Sequence, residues 1–409
     1  MKRAKVLSIF IVFVFLSGCA NKIEIEEAGF VLVIGLDKPV DGKGIVITFQ
    51  LADPLSGSPG SQPAGQQEEK TITLQAPDLI TAKYLLNVSE TRKINFFHTK
   101  AMVVGEEFAR SKEFLPLIST LARDPQVRRD MFMIVSKERA EDYLRNNKPA
   151  FETSPHKYYD FMSRRWDISS MVPPSTYHQF LTQTEADAGL SLSIYSTGIK
   201  KEAKNTLNED DILSGQLDKK GGTPTQMIGA AVFKEGKMID TFTGEEVRLI
   251  SVLTTGKKPQ QMRFSFPDPL NEEFRVIGNS RNISTKVHVD VSKPSPSIQV
   301  DVWMSVTILS IPSAVNYVED IRKQELLDEH LQERYKEISN RFIIKTQELG
   351  AEPFRWYLEG RKQFLTLDDY QKYDWMKSYP DADVDVNFHI RLDQFGKHLR
   401  PRNLEKIRD

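Results

Sequence analysis

The chain reads as α/β and α+β: a multi-domain protein of mixed sheets with covering helices, ending in a C-terminal antiparallel sheet packed by a long helix. Three observations predict this. From residue 30 to residue 145, short β-branched apolar runs alternate with stretches of helical periodicity, the order expected of a mixed or parallel sheet with helices over it. From residue 224 onward strand signals dominate. The last of them, Asp383 to Arg391, sets Val384, Val386, Phe388 and Ile390 against Asp385, Asn387 and His389. One apolar and one polar face marks an antiparallel sheet or an edge. Between two of the late strands, Val318, Ile321, Leu327, Leu331, Tyr335, Ile338, Phe342 and Leu349 form a stripe at helical spacing within residues 316–349.

Residues 1–18 read as a signal peptide. Lys2, Arg3 and Lys5 precede an apolar run from Val6 to Leu16, broken by Ser8 alone. Eleven helical residues rise about 16 Å, well short of the roughly 30 Å hydrocarbon core, so the run suits a signal better than a span. It ends in Leu16-Ser17-Gly18-Cys19, the pattern of a lipobox: the small residues fit a signal peptidase, and the thiol accepts diacylglycerol. An N-acyl chain on the freed amine is a further option. The plainer alternative is a secretory signal with a chance cysteine; basic start, apolar run, small residues and cysteine in that order favour the lipobox. Cys19 is the single cysteine of the chain, which excludes an intramolecular disulfide and a multi-cysteine metal site.

The body then divides into an N-terminal mixed α/β region over 19–199, a polar linker or loop over 200–223, and a C-terminal α+β domain over 224–409. Phe30 to Leu36 and Ile45 to Leu51, separated by Pro39, Asp41, Gly42 and Gly44, predict a hairpin. Asp53 to Lys70 is rich in Pro, Gly, Ser and Gln and reads as a loop. A strand at 71–74 precedes a helix whose first turn holds Pro77 and Asp78. Next come a strand at 99–104, a helix over 106–122, a strand over 130–135 and a short helix over 137–145. Residues 151–198 carry packing aromatics and a Pro173-Pro174 break but no clear period. In the second half, strands are expected at 227–233, 237–242, 282–291, 298–308 and 383–391. Asn316 with Glu319 has capping-box spacing for the long helix, and Gly350 with Pro353 can end it. The aromatics from Phe354 to Tyr379 read as core of a following helical pair, with an exposed docking surface as the sharper alternative.

Charge and composition narrow the function. Among 409 residues, 55 Lys+Arg face 56 Asp+Glu, a formal charge of -1, which excludes a nucleic-acid binder held by bulk positive charge. Cleavage before Cys19 removes 18 residues and the charges of Lys2, Arg3 and Lys5, leaving 391 residues and -4. Lipid must then hold the body to the membrane, and two acyl chains give the stable attachment that one does not. No nucleophile elbow, zinc-protease helix, phosphate loop or dinucleotide fingerprint occurs, and the seven histidines are scattered, so neither an enzyme nor a metal or cofactor is expected. Acidic pairs at Glu106-Glu107, Glu245-Glu246 and Asp368-Asp369 fall at predicted helix starts, where the helix dipole favours them. Arg123, Arg128 and Arg129 cluster at a turn. They can cap a helix and make surface pairs, or form a patch for an acidic partner.

Several segments together resemble the Ger(x)C spore germination lipoproteins, the C subunits of germinant receptors. These are Leu16 to Cys19, Gly29 to Asp37, Thr99 to Ala109 with Leu121 to Pro125, Ile228 to Lys234, Gly244 to Glu246, the long charged helix, and Val384 to Arg391. Two departures stand out: Ala20-Asn21 follow the cysteine where the family often has Trp-Asp, and the loop from Asp53 to Lys70 is long. The resemblance implies a mixed α/β protein tethered by lipid to the outer face of the spore inner membrane and assembled with A and B membrane subunits. It implies a part in nutrient germination signalling, with Cys19 as the one functional residue carried over. It leaves the germinant unspecified, and whether this subunit binds it. The rival reading is a solute-binding lipoprotein of a transporter, and a lipid-tethered cell-wall hydrolase is a third class.

Overall fold

Nine strands form the first sheet because most of their residues are apolar or β-branched and sit in runs bounded by Gly, Pro or Asp. A computed structural model describes residues 27–52, 70–152, 155–186, 189–200, 210–256, 258–259 and 261–395. The strands are β1 (Ala28–Asp37), β2 (Ile45–Leu51), β3 (Lys70–Ala76), β4 (Lys93–Asn95), β5 (Ala101–Gly105), β6 (Phe132–Ser136), β7 (Ser191–Thr197), β8 (Gln226–Lys234) and β9 (Lys237–Phe242). Their order is β3-β2-β1-β5-β6-β7-β8-β9, with β4 beside β1. Strands β1, β5, β6 and β7 are mutually parallel, and an antiparallel pair extends each side. The expected hairpin is β1–β2. Its turn needs Gly44 at a φ of +72°, where a Cβ would stand 2.3 Å from the Ala76 carbonyl oxygen.

Helices cover both faces of this sheet. One face packs on Leu79, Ala82 and Leu86 of the helix Leu79–Ser89 and on Tyr177 and Phe180 of Tyr177–Glu185. The other packs on Tyr143 and Leu144 of Ala140–Asn146 and on Tyr159 and Trp166 of Pro155–Ser169. The expected helix over 106–122 is instead three pieces, Glu106–Ala109, Phe114–Ser119 and the 3-10 turn Thr120–Arg123. Pro116 is the reason: it has no N–H to donate to the residue four positions back, and is accommodated in the first turn of a new helix. Residues 151–198, without a clear period in the sequence, hold two helices and β7.

Two segments from the middle of the chain join the first sheet. The strand pair 226–242, placed in the C-terminal half by its sequence character, is hydrogen-bonded into the first sheet through β7–β8. Of the polar linker or loop expected over 200–223, the described part from residue 210 onward packs against the first sheet. Ser214 is fully buried, and its Oγ lies 2.9 to 3.1 Å from the carbonyls of Tyr195, Gln226 and Ile228. One hydroxyl thereby ties the segment to two adjacent strands.

The second sheet runs β10 (Met262–Asp268), β11 (Asn271–Asp290), β12 (Ser297–Ser310), β13 (Asp383–Gln394). It is antiparallel as expected up to β12, but β13 lies parallel to β12. The long helix accounts for this, since a helical crossover of this length returns the chain to the starting end of the sheet. That helix is Ile321–Glu348. It begins later than the expected Asn316 because Asp320 is its cap, accepting from the N–H of Arg322 and Lys323. Asn316 and Glu319 do bond to each other, in the turn before it. Leu327, Leu331, Tyr335, Ile338 and Phe342 of the expected stripe are buried, while Ile321 is exposed.

A single apolar cluster joins the two sheets. It holds Ala230, Val232 and Phe242 from the first sheet, Val247, Leu249 and Val252 from the helix Gly244–Leu253, the buried sides of β10 to β13, and the long helix. Phe354, Trp356, Tyr370, Trp375 and Tyr379 complete it, so these aromatics are core and not a docking surface. Trp356 donates Nε1–H to the Leu253 carbonyl at 3.1 Å and stacks on Phe354 at 4.2 Å. Among the described residues, no helix is long and apolar enough to cross a membrane.

Candidate functional site

The lipobox Leu16, Ser17, Gly18 and Cys19, and the signal segment before it, lie outside the described residues, as does nearly all of the 53–70 loop. What the structure does place is the point at which the described chain begins. β1 begins at Ala28, opposite Lys93 of β4, and Gly29 is paired with Ile94. The Ile94 N–H in turn donates to Asn87 Oδ1 at 2.7 Å, so the start of β1 is one strand away from the helix Leu79–Ser89.

The three arginines come close in sequence but do not share one role. Arg128 is held by Asp130 at 2.5 Å, and that bidentate pair keeps the Asp130 carboxyl below the usual carboxylate range. Arg123, in the last turn of the 3-10 helix, and Arg129 are exposed. Asp124, which separates them, takes Lys83 at 3.4 Å. The acidic pairs stand where expected: Glu245 and Glu246 open the helix Gly244–Leu253, and Thr243 and Glu246 form a full capping box. Glu106-Glu107 and Asp368-Asp369 likewise lie in first turns.

The seam between the sheets contains polar groups that no sequence motif marks. Arg248, 7% exposed, pairs with Asp210 and donates Nε–H to the Ser169 carbonyl at 3.0 Å. Arg334 of the long helix reaches Glu245 at 3.4 Å, and Lys345 reaches Glu246 at 2.9 Å. Burial pushes Glu245 up, opposed by Arg334. With Tyr335, Phe264 and Met262, the side chains of Asp210, Glu245, Arg248 and Arg334 line a cavity of about 20 Å³, room for one water. The one trace in the sequence is a charge, Arg248, set inside the apolar run from Val247 to Leu253.

A second buried acid stands at the end of the long helix. Glu352 is 1% exposed and accepts from the Tyr357 N–H at 2.9 Å, with the N–H groups of Phe354, Arg355 and Trp356 also turned to it. Burial pushes its carboxyl up to about 7 against the pull of those donors. Its backbone bridges Gly189, just before β7, so it sits where the C-terminal region meets the first sheet. No group of three or more His, Cys, Asp or Glu that could hold a metal ion occurs among the described residues.

Comparison with known proteins places this architecture. Residues 21–197 match the spore germination protein N-terminal domain, and residues 228–396 match the spore germination B3/GerAC-like C-terminal domain. The chain is similar to the putative spore germination protein YfkR of Bacillus subtilis (strain 168), at 21% identity over 94% of this chain and 95% of the relative. It is similar to spore germination protein GerQC of Bacillus cereus, at 21% identity over 94% and 97%, and to spore germination protein KC of Bacillus subtilis (strain 168), at 22% over 95% and 94%. The crystal structure of the GerBC protein shares its fold, with a TM-score of 0.53 at 15% identity over 88% of this chain and 96% of that one. With both domain matches in tandem and relatives covered end to end, the chain belongs to the GerAC, or Ger(x)C, family of spore germination proteins.

Proposed function

We propose that this protein is the lipid-anchored C subunit of a spore nutrient germinant receptor, working with A and B membrane subunits and catalysing no reaction itself. The observation that carries the reading is the tandem match of both family domains over 21–197 and 228–396, on a fold that has them in that order. Cys19 is the lipid attachment point and the outer face of the spore inner membrane its location. A solute-binding lipoprotein closes two similar lobes on a cleft. Here an apolar cluster and buried ion pairs pack the seam between two unlike sheets, and the cavity beside Arg248 and Tyr335 has room for a single water. Arg123 and Arg129 are exposed cations available to an acidic surface of a partner subunit.

The test is Cys19→Ala in the full chain. The expected outcome is loss of the protein from washed spore membranes and at least a tenfold slower response to nutrient germinants, with the response to a non-nutrient trigger retained. Normal membrane retention together with normal germination refutes the anchor. Affinity capture from detergent-solubilised spore membranes is expected to bring down the A and B subunits; recovery of the protein alone refutes the assembly.

A further inference from the structure

The helix Leu79–Ser89 differs from its neighbours in the large apolar side chains on its outer face, which only Thr81, Asn87 and Ser89 interrupt or flank. Its sequence, LITAKYLLNVS, carries one charge, Lys83. Leu79, Ala82 and Leu86 are buried on the sheet, whereas Ile80, Tyr84, Leu85 and Val88 are 41, 67, 44 and 73% exposed. At 3.6 residues per turn Ile80, Tyr84 and Val88 fall one above another on the side opposite the buried trio. Lys83 lies on the flank and turns inward, to Gln126 at 2.6 Å, to Asp124 at 3.4 Å and over the ring of Phe96. By contrast, the helix Ala140–Asn146 presents Glu141, Asp142 and Arg145, and the long helix carries charges along its outer side. A helix apolar on both sides belongs in a core or against an apolar phase.

The place where the chain enters the fold says which. From Cys19 to Ala28 is nine residue steps, a reach of at most roughly 30 Å even when fully extended. Ala28 enters beside Lys93, and the hydrogen bond from Ile94 to Asn87 sets that entry at the C-terminal end of this helix. The helix itself is about 16 Å long. A lipid on Cys19 therefore keeps the bilayer within reach of the whole apolar face. Arg92 and Lys93, directly after the helix, bring cationic heads to the same end, with Glu90 before them.

We propose that the outward face of the helix Leu79–Ser89, formed by Ile80, Tyr84, Leu85 and Val88, rests in the surface of the lipid bilayer and orients the body on its tether. Apolar side chains with a tyrosine among them suit the headgroup boundary, where the ring is buried and the hydroxyl stays wet. The inference rests on lipid attachment at Cys19, and the experiment separates the two.

The lipidated protein is reconstituted into vesicles of phosphatidylcholine and phosphatidylglycerol, and attachment is read by flotation. Because the sulfur of Cys19 is then blocked as a thioether and no other cysteine exists, one introduced thiol can be labelled with the environment-sensitive dye NBD. The positions are Tyr84→Cys, Val88→Cys and, as control, Leu365→Cys, which is fully exposed in the C-terminal region. The expected result is at least twofold quenching by brominated lipids at 84 and 88 and none at 365. In the background of Ile80→Ser and Leu85→Ser, the protein still floats and quenching at 84 falls at least twofold. Floating protein without quenching at 84 and 88 overturns the proposal and leaves the anchor intact. Protein that does not float overturns both. Protection of 84 and 88 from an aqueous quencher only in native membranes, without lipid quenching, assigns the face to a protein partner and also overturns it.

Discussion

The two sheets of this protein solve the same burial problem in different ways. The central strands of the first are covered on both faces: all five residues of β5 are buried, as are nine of the ten in β1. Such strands read as continuous apolar runs and are parallel because helices connect them. In the second sheet β12 alternates, with Ile298, Val300, Val302, Met304 and Val306 buried and their neighbours partly open, because the long helix covers one side. The difference teaches where each half is vulnerable. The first sheet contains most of its core within itself, whereas the second depends on one helix and on the cluster it shares with the first.

The largest test of that contrast is Trp356→Ala. Removing a fully buried ring that bonds to Leu253 and stacks on Phe354 is expected to cost about 3–5 kcal/mol in urea unfolding. Hydrogen exchange tells how far the loss spreads. Deprotection of β10 to β13 together with β8 and β9 is expected if the seam makes the sheets one cooperative unit; loss confined to β10 to β13 breaks that view.

Glu352 sharpens the comparison through pH. Its carboxyl is held at about 7 in the folded chain against an ordinary 4.5, so the folded state binds the proton more tightly than the unfolded one. The resulting stabilisation is fully present below about pH 4.5 and is lost as pH rises toward 7, on the order of 3 kcal/mol at most. Glu352→Gln is expected to flatten the pH dependence of stability between about pH 4.5 and 7 relative to the parent chain. An unchanged slope shows that this acid does not titrate in the fold.

The smallest effect belongs to the first sheet. Asp37, 2% exposed at the end of β1, accepts from the N–H groups of Ala140 and Glu141 at 2.7 and 3.0 Å and so caps a helix more than a hundred residues away. Asp37→Ala is expected to cost about 1–2 kcal/mol, with faster exchange at the Ala140 and Glu141 amides and none of the seam disturbed. A change in the second sheet on this substitution means the two regions are coupled more tightly than their cores suggest.

Much of the fold was legible where the residues that decide a structure are neighbours in sequence. The β1–β2 hairpin, the alternation of β13, the long helix and the acidic first turns all follow from local pattern. Where pattern and structure part, the causes are local too: Pro116 breaks an otherwise helical pattern, and Asp320 outcompetes Asn316 as a cap. The strand pair 226–242 resembles the later strands in character yet pairs with β7, since strand character carries no information about which partner a strand will take. Helices in 155–185 escaped because aromatic side chains on several faces blur a helical period.

The sequence by itself determined the family and the mixed α/β class, because each rests on patterns of residues adjacent in the chain. Only the tertiary structure decided that β13 runs parallel to β12 and that Arg248 and Glu352 are buried at the seam. Only it showed that the helix Leu79–Ser89 turns an apolar face outward near the start of β1. The physical reason is the same in each case: burial and pairing are set by contacts between segments far apart in sequence, and a local pattern records which faces are apolar but not what will cover them.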